Sequence, residues 1–134
     1  MTNVSKNKLD DKTRQQLFLQ FSTLFTGADH NRMACLFESL FTDTEKIMFI
    51  KRLAIILMIS QEHSSYSIGK ALHVSDSTVR SLKEKFLKGE FDILVGATRK
   101  KNFDSKKFWE TMDVLLRLGM PSYNDKDRWK FLDR

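Results

Sequence analysis

Recognition chemistry is concentrated in one short stretch of the chain: Ser75, Asp76, Ser77, Thr78, Arg80, Ser81 and Lys83. Hydroxyls, a carboxylate, a guanidinium and an ammonium at this density can read hydrogen-bond donors and acceptors on a polar surface. Groups suited to catalysis are scattered instead. His30, His63 and His73 stand singly, without metal-ligand spacing. No glycine-rich phosphate loop, zinc-ligand cluster or nucleophile elbow occurs. The acid pairs Asp10/Asp11 and Asp125/Asp127 are accounted for by a helix start and a solvated tail. The lone cysteine, Cys35, excludes an intramolecular disulfide and reads as a small core or boundary thiol. The expectation is a protein that is not an enzyme and carries no metal or cofactor.

The elements that must position the recognition residues run from Ser65 to Phe86. Ile68 and Leu72, then Val79, Leu82 and Phe86, recur three or four apart, which predicts two short helices, each with one buried stripe. Ser65 is the expected N-cap of the first and Ser75 of the second. His73-Val74 makes the turn, with His73 at positive φ. Small Gly69 leaves room for the second helix to cross closely. Asp76 falls in the first turn, where a negative charge suits the helix dipole. Asp76, Ser77, Arg80, Ser81, Lys83 and Glu84 then face outward on a helix over 76–88. Such a short, polar, partly basic surface suits a helix lying in a DNA major groove. Arg80 suits a guanine edge, and Lys83, Lys85 and Lys88 suit phosphates. Asp76 has two readings: an acceptor for cytosine, or a structural partner of Arg80 one turn on.

Before this pair the chain reads as helical throughout. Residues 1–9 form a polar, flexible N-terminus. Asp10-Asp11 opens a first helix striped with Leu17, Phe18, Phe21, Leu24 and Phe25, which Gly27 ends. Asp29 caps a second through Phe41, its buried face formed by Met33, Leu36, Phe37, Leu40 and Phe41. Thr42 to Glu45, T-D-T-E, matches a capping box and opens a third helix running to about Gln61. From Ile47 to Ile59 that helix is apolar almost all round, so it must be covered all round. A chain of this length struggles to do so, and a second copy is the expected cover. Wrapping by the chain itself is the competing solution. After Gly89, residues 91–96 fit a short helix or an extended segment equally. A basic loop at 98–102 and a last helix from Asp104 or Ser105, ended by Gly119 and Pro121, complete the chain before its tail.

Composition agrees with this picture. Hydrophobic residues make up 41% and charged ones 30%, within the globular range and sufficient for one domain with a modest core. The net charge of +6 points to an anionic partner, and residues 63–102, with eight basic and four acidic side chains, hold most of the excess. The most apolar run, Leu53 to Ile59, is seven residues long against the roughly 20 that span a bilayer. With no apolar N-terminal leader and a single cysteine, a cytoplasmic location without membrane contact is expected.

The run L-F-E-S-L-F-T-D-T-E-K-I-M-F-I-K-R-L-A-I-I-L-M-I, followed by S-S-Y-S-I-G-K-A-L-H-V-S-D-S-T-V-R, resembles the Trp repressor family. That family has a threonine-led capping segment, a helix with an early arginine, and a helix-turn-helix of the form S-x-x-x-I-A-x-x-L-G-V-S-x-A-T-V. The likeness covers roughly residues 30–88 and assigns 10–88 to a helical DNA-binding domain, with the helix-turn-helix at 65–88. It leaves 89–134 (basic loop, C-terminal helix and tail) without a counterpart. It implies an all-α, intertwined homodimer that binds double-stranded DNA as a repressor-like transcriptional regulator. Ser75, Asp76, Ser77 and Arg80 would meet base edges, flanked by Thr78 and Ser81. Ser65, Tyr66 and Lys70 would lie near phosphates. The family holds a tryptophan corepressor between two arginines. Arg52 matches the first, but Ser81 stands where the second belongs. Arg80 is one residue early, about 100° around the helix. Control by tryptophan or another small effector is therefore not expected.

Two rivals to a DNA-binding regulator remain. One is a helical protein–protein interaction module whose hinged helices only pack. The other is the DNA-recognition component of a transposition or replication system.

Overall fold

Local signals for helix starts and stops account for most of the architecture. In a computed structural model that describes residues 10–100 and 103–117, the chain is all-α: seven helices and, among the described residues, no strand. These are α1 (Asp11–Thr23), α2 (His30–Leu40), α3 (Asp43–Ser60), α4 (Ser65–Leu72), α5 (Asp76–Leu87), α6 (Asp92–Thr98) and α7 (Ser105–Arg117). The chain divides into two compact units, one up to Lys46 and one from Ile47 onward. The expectations for residues 1–9, for Lys101 and Asn102 of the basic loop, for the Gly119/Pro121 stop and for the tail lie outside the described residues.

In the first unit, side-chain caps set the helix starts. Asp10 accepts from the Thr13 N–H at 2.9 Å and Asp29 from the Arg32 N–H at 2.8 Å, which satisfies donors that would otherwise be orphaned. The α1 helix stops earlier than its glycine: Leu24 is the C-cap, and a turn follows in which Gly27 takes φ +71°. An aromatic ladder links the two helices. Phe21 meets Phe25 edge-on at 5.3 Å, Phe25 stacks on Phe37 at 5.3 Å, and Phe37 stacks on Phe41 at 5.4 Å between ring centroids. The stripes expected to be buried are not: no residue of α1 or α2 is buried, and Phe18 is 66% exposed. Two helices of 13 and 11 residues are too small to cover each other's apolar faces. Cys35 is exposed too, and so is not a core thiol.

The capping box at the start of α3 is present in both directions. The Thr42 N–H donates to Glu45 Oε2 at 3.1 Å, and the Glu45 N–H donates to Thr42 Oγ1 at 3.2 Å. Lys46, one turn in, bridges Glu38 at 2.7 Å and Asp43 at 2.9 Å. These two carboxylates hold the Lys46 ammonium above its ordinary 10.5.

In the second unit, α3 contributes Ala54, Ile55, Met58 and Ile59 to a core completed by Ile68, Ala71 and Leu72 of α4, Val79 and Leu82 of α5, and Met112 and Leu116 of α7. Burial of each large aliphatic side chain contributes about 1.5–3 kcal/mol. The two halves of the apolar helix thus differ in cover. Ala54 to Ile59 is buried by its own chain, whereas Ile47, Met48, Phe49 and Ile50 stay exposed, Met48 at 64%. Residues 91–96 are open by periodicity; the structure makes Asp92–Thr98 a helix with Val95 buried, so Thr98 ends that helix and is not part of the basic loop expected from 98 onward. No helix among the described residues is long and apolar enough to cross a membrane.

Candidate nucleic-acid interface

The α4–turn–α5 unit begins with a cap one residue earlier than the sequence suggested. Ser64, not Ser65, is the N-cap of α4: its hydroxyl accepts from the Ser67 N–H at 3.1 Å and bonds the Ser67 hydroxyl at 2.9 Å. Ser65 is the first helical residue and half-buried. Adjacent serines offer the same chemistry, and only the backbone dihedrals separate them.

The turn depends on His73. At φ 55°, ψ 47° it is left-handed, and its N–H donates to the Gly69 carbonyl. The Val74 N–H reaches the same carbonyl at 3.2 Å. A single residue in this region reverses the chain and closes the helix end. Ser75 then caps α5, accepting from the Thr78 N–H at 3.3 Å, and its hydroxyl also meets those of Ser77 at 3.2 Å and Thr78 at 2.7 Å. Val79 and Leu82 are buried against the core. On the other side, Asp76, Ser77, Thr78, Arg80, Ser81 and Lys83 are all exposed, as are Tyr66 and Lys70 on α4.

Of the two readings of Asp76, the structure contains the ion pair: Arg80 Nε donates to Asp76 Oδ2 at 2.8 Å. Arg52 of α3 is brought to a different place. It lines an open cavity of about 640 Å³ between α3 and α5, together with Lys51, Lys85, Ser77, Thr78 and Ser81. Met48, Phe49, Ile55, Val74 and Leu82 supply its apolar wall. Arg80 is not among the lining residues, as its rotation away from the Ser81 position predicts. Lys51 and Lys85 as cavity cations were not found from sequence. Their shared site depends on the packing of α3 against α5, although Lys51 directly precedes Arg52 and Lys85 follows Ser81 by one turn.

His30 opens α2, His63 lies in the loop between α3 and α4, and His73 is in the turn after α4; among the described residues no three His, Cys, Asp or Glu side chains are placed to hold a metal ion. Comparison of the chain with protein-family models, with curated proteins and with solved structures finds no match.

Proposed function

We propose that this chain is a homodimeric, sequence-specific double-stranded-DNA-binding regulator of Trp repressor-like fold that reads the major groove with α5. The observation that carries the reading is the division of α5 into two faces. Val79 and Leu82 are buried, while Asp76, Ser77, Arg80, Ser81 and Lys83 face solvent directly after a capped left-handed turn. A helix held by its apolar side and presenting hydroxyls and cations at its N-terminal end has the form a major groove accepts. Tyr66 and Lys70 on α4 supply contacts to phosphate, and the local excess of positive charge supplies attraction to the backbone.

The dimer is supported by apolar side chains that one copy leaves largely exposed: Leu17, Phe18 and Leu19 of α1 and Met48 of α3. Apolar surface on this scale calls for a partner. A second copy would also place two α5 helices in successive grooves, about one helical turn or ~34 Å apart. The protein acts in the cytoplasm, a reading supported by its one free cysteine.

Selection of bound duplexes from a random pool, followed by titration at two salt concentrations, tests this function. A palindrome with half-sites one turn apart and a steep salt dependence is expected. Absence of salt-dependent binding at micromolar protein would favour the rival interaction module.

The cavity favours a second, additional reading, control by a small carboxylated apolar molecule. Its volume lies within the range of ligand pockets, and Arg52, Lys51 and Lys85 stand at an apolar wall. The loss of the second family arginine to Ser81 weighs against tryptophan. A thermal-denaturation series with and without millimolar tryptophan tests it, and an unchanged midpoint removes tryptophan from consideration.

A further inference from the structure

Arg80 is held by one edge of its guanidinium. Its Nε donates to Asp76 Oδ2 at 2.8 Å, one helical turn earlier, while the two side chains remain 74% and 52% exposed. With Nε engaged, the outer N–H bonds of Nη1 and Nη2 form a parallel fork directed away from Asp76. That fork matches the O6 and N7 acceptors of guanine. Adenine carries an amino donor where guanine has O6, so the same fork meets a donor there.

An acid on a DNA-facing helix requires an account, because an isolated carboxylate repels every phosphate it approaches. Asp76 stands in the first turn of α5, where a negative side chain faces the positive end of the helix dipole. Paired with Arg80, its charge is offset, and it restricts a side chain that otherwise loses considerable rotamer entropy on binding. Stabilisation of the fold is a poor explanation for the pair, since exposed i,i+4 ion pairs contribute little.

We infer that Asp76 is a positioning residue: it presents the Arg80 fork end-on to one guanine in each half-site and thereby sets specificity at that base pair. This rests on the proposed role of α5 in DNA binding. Asp76→Ala and Asp76→Asn both remove the charge, and the exposed position leaves the fold intact, which circular dichroism checks.

The experiment measures affinity of the full chain and of Asp76→Ala, Asp76→Asn and Arg80→Ala for three duplexes. These are the selected operator, the operator with the assigned guanine changed to adenine in both half-sites, and a random sequence. The wild type should prefer guanine by about tenfold or more, and Arg80→Ala should abolish the preference. Both Asp76 variants should reduce it to roughly threefold or less while binding random duplex more tightly, because a repulsive charge has gone. If the Asp76 variants bind all three duplexes more tightly by the same factor, the positioning role is wrong. If Arg80→Ala keeps the guanine preference, the fork assignment is wrong. A wild type that binds no duplex defeats the DNA-binding reading itself, an outcome separate from the other two.

Discussion

A Cβ placed on Gly69 would stand 3.0 Å from the carbonyl oxygen of Val74. The close approach that this glycine permits is therefore to the turn, not to the body of the second helix as the sequence suggested. The same turn contains His73 at a left-handed φ of 55°. In the Trp repressor-like pattern these two positions carry alanine and glycine, so this chain has the small residue in the helix and the larger one in the turn. Gly69→Ala should cost about 1 kcal/mol despite the better helix propensity of alanine, because the contact is with backbone. In a His73→Gly background, where the turn can shift, that cost should fall. Denaturant midpoints of the two single variants and the double variant measure the coupling, and strict additivity would separate the two positions.

His73 itself gives a second prediction. β-Branched side chains are outliers at positive φ. His73→Val should therefore destabilise the chain by about 1–2 kcal/mol, and by more than His73→Asn, which tolerates the left-handed region. Equal melting temperatures for the two variants would show that the turn does not constrain this residue.

Lys83 and Arg80 occupy the same exposed face of α5 and should fail differently. Lys83→Ala should weaken binding to all duplexes alike and reduce the salt slope by about one. Arg80→Ala should lose discrimination worth ~1–3 kcal/mol at one base pair. If titrations show equal weakening of operator and random DNA by both substitutions, α5 is not the reading helix.

The exposed Phe18 end of the ladder leads to a prediction about assembly. Phe18, at the end of the ladder, lies 6.4 Å from Phe21 and is mostly free of its own chain. Phe18→Glu should leave the monomer folded but raise the dimer dissociation constant at least ~100-fold, since a charge would be buried without a partner. Sedimentation velocity reads the result. A wild-type chain that is monomeric at micromolar concentration would exclude a second copy as the cover.

The Lys46 clamp has a defined pH signature. Its ammonium is more tightly protonated in the folded chain than the ordinary 10.5, through Glu38 first and then Asp43. Its contribution is complete below 10.5 and is lost as pH rises through the higher folded value. The difference in urea midpoint between wild type and Lys46→Gln should stay constant up to that range and shrink above it. A difference that persists at strongly alkaline pH would assign the effect to packing of the lysine stem.

Capping was the most legible part of the fold. Asp10, Asp29, Thr42 with Glu45, and Ser75 all act where their sequence context put them, because each cap is closed within three residues. Ser64 displaced Ser65 since nothing local distinguishes them. The α3 helix shows where local reading stops. Its all-round apolarity signalled a need for cover but not its source. Met112 and Leu116, more than fifty residues downstream of Ala54 and Ile55, provide part of it. The cavity was equally hidden, since Lys51 and Lys85 line it together only through the packing of α3 against α5. Each outward residue of α5 was legible individually, but the Asp76–Arg80 choice required coordinates.

The buried and exposed sides of α5 share no residue. Val79 and Leu82 are buried and hold the helix, while positions 76, 80 and 83 are exposed and lie outside both the Ser75 cap and the cavity lining. If α5 reads DNA as proposed, target preference and fold can change independently: a descendant of this chain could be retargeted by replacing a handful of surface side chains while its scaffold stayed the same.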